Sequence, residues 1–379
     1  MTVIEQVCAY CDGLSCACPP GTPRIVRPEL DGLTADGLRA SLRGRDLWRY
    51  ERLLPVSRDF GSRLAVGGTP LLDLGEVSGG IRLHVKDDTR NPSGSLKDRA
   101  TEVALAVARS QGHDRVIAAS TGNAGASLAC IAAAQGMHAM VVVPESAPVN
   151  KLNQILAYGA ELVTVPGSYD DAFDHALDYA RRNDVFCRNT GVNPYVREGK
   201  KTCALEIAEQ LGWRSPTWVI VPTGDGNIIN GIGTGFRQLT ELGCLDRMPR
   251  LVAAQAASSD SITRTYAEAR AAGTIPRVPL PAAPDTAADS IAVSRPRDHI
   301  GAVRVLLGSD GLAVTSSEQE IREAAGTLAR GHGLWVEPSA ATGYAVFARL
   351  RDTGVITEGD TVVLLATGTG LKDPRPWDD

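Results

Sequence analysis

Asn91-Pro92-Ser93-Gly94-Ser95-Leu96-Lys97-Asp98-Arg99 sets one lysine at the mouth of a Pro/Gly turn. A helical pattern follows over Thr101 to Ser110, with Val103, Ala104, Val107 and Ala108 on one face. A lysine held there, partly desolvated and close to the positive end of a helix, can have its amine pKa lowered. It then acts as a nucleophile or forms a Schiff base. Lys97 is therefore a candidate cofactor lysine; a solvated first-turn lysine is the plainer alternative that this stretch alone leaves open.

Outward from this stretch, strand and helix patterns alternate from about Ile81 onward. The apolar runs Arg115 to Ser120, Ala139 to Val143, Glu161 to Val165 and Val185 to Cys187 read as strands, separated by helices over 124–135, 149–158 and 169–182. A second series has strands at Trp218 to Val221, Leu251 to Gln255 and Thr361 to Leu365. Its helices run over 202–211, 228–242, 318–331 and 339–352, and Gly273 to Ala288 reads as surface loop. Strands joined through helices predict parallel sheets wound by right-handed crossovers.

The 379 residues exceed what one core usually holds, about 250–300. The expected class is thus α/β with two lobes. A cysteine-rich, irregular N-terminal arm spans 1–60, a large lobe takes 61–111 and 191–379, and a small α/β lobe takes 112–190.

A net charge of −5 and the lack of a long Lys/Arg run give no argument for nucleic acid. No apolar run reaches the length of a membrane span and no secretory signal is visible, so a cytoplasmic location is expected. Eight cysteines in an intracellular chain of this size read as thiols. Cys8, Cys11, Cys16 and Cys18 crowd the start, but the spacer between the two pairs is short for a zinc site. A zinc knuckle and a loose cysteine-rich arm both stay open, and no catalytic metal is expected. Cys130, Cys187, Cys203 and Cys244 read as core fillers.

Three further segments lie where parallel strands should end. Ser120-Thr121-Gly122-Asn123-Ala124-Gly125 exposes backbone N–H groups at a helix start, which suits a carboxylate or phosphate. Thr223-Gly224-Asp225-Gly226-Asn227-Ile228 has glycines that let a phosphate approach the backbone; it lacks the Walker and dinucleotide spacings. Ala366-Thr367-Gly368-Thr369-Gly370 follows the last strand, and the Thr367 hydroxyl can meet a heterocyclic nitrogen without fixing a charge on it.

A Schiff-base lysine, an anion-binding turn, a glycine phosphate cup and a neutral hydroxyl are the parts that hold pyridoxal phosphate. With these four segments the chain resembles threonine synthase, a family of fold type II (tryptophan synthase β-like) pyridoxal phosphate enzymes. The likeness runs from about Trp48 to Pro374 and includes Gly67-Gly-Thr-Pro-Leu71, Asp289 to Arg297 and Val336-Glu-Pro-Ser-Ala340. The resemblance implies that Lys97 forms the Schiff base and shuttles the Cα proton. It implies that Asn123 binds the cofactor's phenolic oxygen, that Gly224, Asp225, Gly226, Asn227 and Ile228 cradle its phosphate, and that Thr367 meets its ring nitrogen. Ser120 and Thr121 would take the substrate α-carboxylate, and Lys86 would face the substrate's phosphate end.

Threonine synthases convert O-phosphohomoserine and water to threonine and phosphate by γ-elimination and β-addition, which implies a carbon–oxygen lyase acting on a small phosphorylated amino acid. Relatives often read Asn-Pro-x-Arg-x-Glu-Gly where this chain has Asn193-Pro-Tyr-Val-Arg197-Glu-Gly, so the arginine is displaced by one position. Asn193 and Arg197 are the candidate substrate residues of that stretch. The alternatives are β- or γ-replacement with another nucleophile, as in cysteate synthase-like chemistry, and a serine/threonine dehydratase or diaminopropionate lyase. Among relatives dimers are common, so a homodimer is the expectation by analogy.

Overall fold

The computed structural model describes residues 4–8, 24–28, 30, 32–77, 79–147 and 149–373, so Cys11, Cys16, Cys18 and Pro374 lie outside the described residues. In chain order, β1 (Ile4–Cys8) pairs antiparallel with β2 (Arg24–Pro28), and α1 (Ala35–Ser41) follows. β3 (Leu71–Val77) and β4 (Ile81–Asp87) form an antiparallel hairpin. Next come α2 (Lys97–Ser110), β5 (Arg115–Ala119), α3 (Asn123–Gln135), β6 (His138–Pro144), α4 (Val149–Ala157), β7 (Glu161–Val165), α5 (Tyr169–Asn183), β8 (Phe186–Cys187) and α6 (Tyr195–Gln210). The remainder is β9 (Trp218–Pro222), α7 (Asn227–Glu241), β10 (Arg250–Ala256), α8 (Ser261–Ala272), α9 (His299–Gly308), β11 (Leu312–Ser316), α10 (Glu318–His332), α11 (Pro338–Asp352) and β12 (Thr361–Ala366).

The chain divides into two compact units. The first holds the described residues up to Leu33, Gly37–Gly68 and Asn91–Thr202; the second holds Thr34–Asp36, Thr69–Arg90 and the chain from Cys203 on.

The first unit is built on a four-stranded parallel sheet in the order β7-β6-β5-β8. Both faces of β5 and β6 are buried, which is why they read as unbroken apolar runs. Their side chains alternate between two cores, as the pleat requires. Val116, Ala118, Val141 and Val143 face Val103, Leu128, Ile131 and Ile155 of α2, α3 and α4. Ile117, Ala119, Met140 and Val142 face Phe173, Ala176 and Ala180 of α5.

In the second unit the six strands run β11-β10-β9-β12-β4-β3, parallel except for the edge strand β3. Ile220, Val252 and Leu364 share a core with Ile321, Leu328, Val346 and Phe347 of α10 and α11.

The expected α/β class with parallel sheets is what the structure has, and the expected lobe boundaries differ from the observed division. Residues 91–111 group with the first unit because α2 packs Val103, Leu105 and Ala106 into that unit's core. The segment before Gly61 is not irregular throughout: the 3₁₀ turn Leu47–Leu53 buries Leu47, Trp48, Tyr50 and Leu53. Helices α8 and α9 and strand β11 fill a span to which the sequence patterns assign no element. Cys8, Cys130, Cys187, Cys203 and Cys244 are free thiols, and burial pushes the Cys187 thiol up to about 11. Among the described residues no His/Cys/Asp/Glu group could hold a metal, and no helix is long and apolar enough to cross a membrane.

Trp48 is pinned by a buried carboxyl. Glu102 Oε1 accepts from Trp48 Nε1 at 2.9 Å and from Ser62 N at 2.7 Å, while Oε2 is buried with no partner. Burial raises the Glu102 pKa against the lowering effect of these bonds. A carboxyl whose folded pKa lies above its unfolded value contributes stability below the unfolded pKa and loses it as pH rises through the folded pKa. Glu102→Gln keeps an acceptor for both donors and removes the titration. Its melting temperature should match wild type near pH 4 and exceed it increasingly toward pH 8; a gap that stays constant over that range contradicts the reading.

Candidate active site

Lys97 is the first residue of α2, half-buried, and no side chain caps that helix. The turn before it is held by its own residues. Asn91 Oδ1 accepts from Gly67 N at 2.9 Å, Gly94 takes a φ of +84°, and the Asp98 carboxylate accepts from Ser93 N and Oγ, both at 2.6 Å. These bonds fix where the lysine side chain begins. On the next turn Thr101 Oγ1 donates to the Lys97 carbonyl at 3.1 Å. Helix α6 passes so close that a Cβ on Gly199 would lie 1.9 Å from the Arg99 carbonyl oxygen.

The Ser120–Asn123 turn leaves the end of β5. Ala119 N donates to Asn189 Oδ1 at 2.8 Å and Gly122 N to Ser120 Oγ at 3.2 Å. A Cβ on Gly125 would stand 2.4 Å from the Ser120 carbonyl, so only glycine lets the turn fold this tightly onto α3. Helix α3 then starts at the buried Asn123, with Gly122 in the cap position and no side-chain cap. Such a helix start offers an anion oriented N–H groups and the positive end of the helix field.

At the neighbouring end of β8 stands Arg188, which the sequence reading did not single out. It is 1% exposed and burial pulls its pKa down to about 10. Its Nε donates to Thr101 Oγ1 at 3.2 Å and its Nη1 to Thr190 Oγ1 at 3.3 Å. Among the described residues it forms no ion pair, and Arg188 Nη2 and Asn189 Nδ2 are both buried without a partner. A charged residue following two strand-type residues looks like any strand terminus, so no local signal marks it.

Asn193 and Arg197 belong to the same unit. Asn193 Nδ2 donates to the Cys187 carbonyl at 2.9 Å, and its Oδ1 accepts from Tyr195 N at 2.9 Å, which tethers the start of α6. Arg197, 5% exposed, sits in the first turn of α6 and so on neither a strand nor a loop. A shift of one position on a helix turns a side chain by about 100°. The preceding Val196 is buried against Ala100, Ala104 and Val107 of α2.

In the second unit the glycine cup follows β9. Gly226 takes a φ of +84° as the cap residue of α7, which has no side-chain cap. A Cβ on Gly224 would lie 2.9 Å from the Cα of Ile291, so the backbone of the cup rests directly on the Asp289–Ile291 turn. Asn227 Nδ2 donates to Asp298 at 2.7 Å, so its side chain is engaged inside the protein. Strand β12 lies beside β9 in parallel register, Val362 opposite Trp218 and Leu364 opposite Ile220. Continuing that register brings Thr367 level with Thr223 at the mouth of the cup. Thr367 is buried, and Glu337 N donates to the next carbonyl, that of Gly368, at 3.1 Å.

Lys86 departs from expectation. It is fully buried in β4, and its ammonium donates to the Thr69 carbonyl at 2.6 Å, Glu206 Oε2 at 2.7 Å and Gln210 Oε1 at 2.8 Å. Three donors meet three acceptors, so no proton is left to hold a substrate phosphate.

Residues 62–368 match the family described as pyridoxal-phosphate dependent enzyme. The chain belongs to that family. Among curated proteins it is similar to the threonine synthase of Methanocaldococcus jannaschii, 36% identical over 88% of this chain and 82% of that one. The threonine synthase of Methanosarcina acetivorans is 33% identical over 98% and 89% respectively. Of solved structures, a bacterial-type match, the T.th. threonine deaminase, superposes with a TM-score of 0.65 at 27% identity, covering 82% of this chain and 94% of that one. Threonine deaminase isoform 2 of Solanum lycopersicum gives a TM-score of 0.67 at 23% identity, covering 79% and 83%. This pyridoxal-phosphate dependent enzyme is thus threonine synthase-like, with a fold type II architecture. The residues present suit the cofactor: a half-buried lysine at a helix start, a glycine-capped helix end for a phosphate, and a hydroxyl in place of a carboxylate at Thr367.

Proposed function

We propose that this enzyme is a carbon–oxygen lyase that converts O-phosphohomoserine and water to threonine and phosphate. The observation that carries the reading is the similarity, over most of the chain, to proteins named threonine synthase. In this reading the Lys97 amine binds the cofactor, yields it to the substrate amine, and then moves protons at Cα and Cβ. When bound, the cofactor supplies an electron sink for the resulting negative charge. Gly224, Asp225, Gly226, Asn227 and Ile228 hold its phosphate on the start of α7, Asn123 binds its phenolic oxygen, and the Thr367 hydroxyl meets its ring nitrogen without fixing a proton there. Ser120, Thr121 and the start of α3 take the substrate α-carboxylate. The Arg188 guanidinium, buried without a counter-ion among the described residues, adds a positive potential to the same sheet edge and so supports an anionic substrate.

The displacement of Arg197, together with the engaged side chains of Lys86 and Asn193, favours one second reading: replacement chemistry on a related phosphorylated amino acid with a nucleophile other than water. The deciding experiment incubates holoenzyme with O-phosphohomoserine or O-phosphoserine, each in water alone and with sulfite or ammonium, followed by amino-acid and phosphate analysis. Threonine with matching phosphate release is the expected result. A different amino acid formed only when sulfite or ammonium is present establishes the second reading.

A further inference from the structure

Asp298 occupies the cap position of α9, where aspartate ordinarily accepts hydrogen bonds from its own helix, yet it makes no side-chain cap. Its carboxylate is turned instead onto the start of α7. It accepts from Asn227 Nδ2 at 2.7 Å and from Asn230 Nδ2 at 3.1 and 3.0 Å through its two oxygens. The adjoining backbone adds two more ties: Asp298 N donates to the Asp225 carbonyl at 3.0 Å, and Arg297 N to the Asp225 carboxylate at 3.2 Å. All the residues concerned lie in the second unit, and Asp298, Asn227 and Asn230 are 2%, 3% and 6% exposed.

The packing around this clamp leaves no slack. A Cβ on Gly226 would lie 2.7 Å from the Ala302 Cβ and 2.9 Å from the Asp298 carbonyl, and one on Gly301 would overlap the Asn230 amide at 1.9 Å. Glycine at both positions lets α9 approach the cup closely enough for the carboxylate to reach two asparagines one helical turn apart.

We propose that Asp298 is a positioning residue for the cofactor phosphate. It draws the Asn227 and Asn230 amides away from the cup and thereby sets the backbone N–H groups of Gly226 to Ile228 as the phosphate's donors. This inference rests on the assignment of Gly224 to Ile228 as the phosphate site. A carboxylate beside a phosphate site is electrostatically unfavourable, so its presence there is explained by geometry and not by charge. The two roles separate in Asp298→Asn. An amide lowers the negative charge, but it offers one acceptor oxygen and turns an NH₂ toward the NH₂ of an asparagine. A charge role makes D298N bind phosphate better; a positioning role makes it bind worse.

The test titrates apo-enzyme with pyridoxal phosphate and, separately, with pyridoxal, following the visible absorbance of the lysine-bound cofactor, in wild type, D298N, N230A and G224A. The ratio of the two affinities isolates the phosphate. D298N is expected to narrow that ratio about tenfold and N230A about threefold, with pyridoxal affinity nearly unchanged. An unchanged or widened ratio in D298N, or an equal loss for both ligands, overturns the proposal. Should D298N fail to fold, N230A decides by the same ratio. G224A wedges a methyl group between the cup and Ile291 and reports on the cup itself. A ratio narrowed in G224A but not in D298N refutes only the role of Asp298. A ratio unchanged in both refutes the phosphate site as well.

Discussion

Lys97→Ala is expected to lower turnover by about four orders of magnitude or more, because one substitution removes both the covalent anchor and the proton carrier. The visible absorbance that a lysine-bound cofactor gives should vanish with it. The fold should survive. The turn before α2 is held through Asn91, Ser93 and Asp98, which the substitution leaves in place, and alanine is a strong helix former. Far-UV circular dichroism and the melting of the apo-protein therefore separate loss of chemistry from loss of structure. Undiminished turnover, or a wild-type absorption band, would sink the assignment of Lys97.

Lys86→Met is expected to damage the protein in the opposite way. Removing one partner of a buried ion pair leaves the other charge stranded, at a cost of about 3–5 kcal/mol. Glu206 would be that charge, 2% exposed and 2.7 Å from the ammonium in the native fold. At about 2–4 °C per kcal/mol for a unit of this size, the melting temperature should fall by roughly 6–20 °C. KM for the substrate in the folded fraction should hardly change. Replacing Glu206 as well, in Lys86→Met with Glu206→Leu, should recover most of the loss, since a well-packed apolar pair is a fair substitute for a buried salt bridge. A raised KM with wild-type melting would show that Lys86 serves the substrate after all.

Reading the chain in order reaches the fold wherever one residue's environment repeats along an element. β5 and β6 are legible because both faces are apolar, so no polar residue interrupts the run. The cup and the Ser120 turn are legible because their glycines mark close backbone approach. Helix α6 shows where this fails. Its first turns read Tyr-Val-Arg-Glu-Gly-Lys-Lys, which looks like solvated surface, yet Arg197, Glu198, Lys200 and Lys201 are between 0% and 5% exposed. Lys201 is neutralised by Glu198 at 2.5 Å, a pairing that hydrophobic periodicity cannot register. Arg188 and Asp298 escape for a related reason. Their meaning lies in partners 87 and about 70 positions away, Thr101 for the one and Asn227 and Asn230 for the other. The boundary between units was misplaced because α2 follows the lysine turn in sequence while its apolar face belongs to the core of the first unit.

The surface helices α5 and α10 each carry a complete capping box, Ser168 with Asp171 and Ser317 with Glu320, whereas α3 and α7 begin on bare glycines. A helix that leaves its first amides to a ligand is finished only when the ligand arrives. Ligation then adds to folding free energy by mass action. Newly made chains meeting scarce cofactor would spend longer with these two ends frayed, and it is from such partly opened states that proteases draw their substrates. Vitamin supply would in this way set how long the protein persists in a cell, as well as how fast it turns over its substrate.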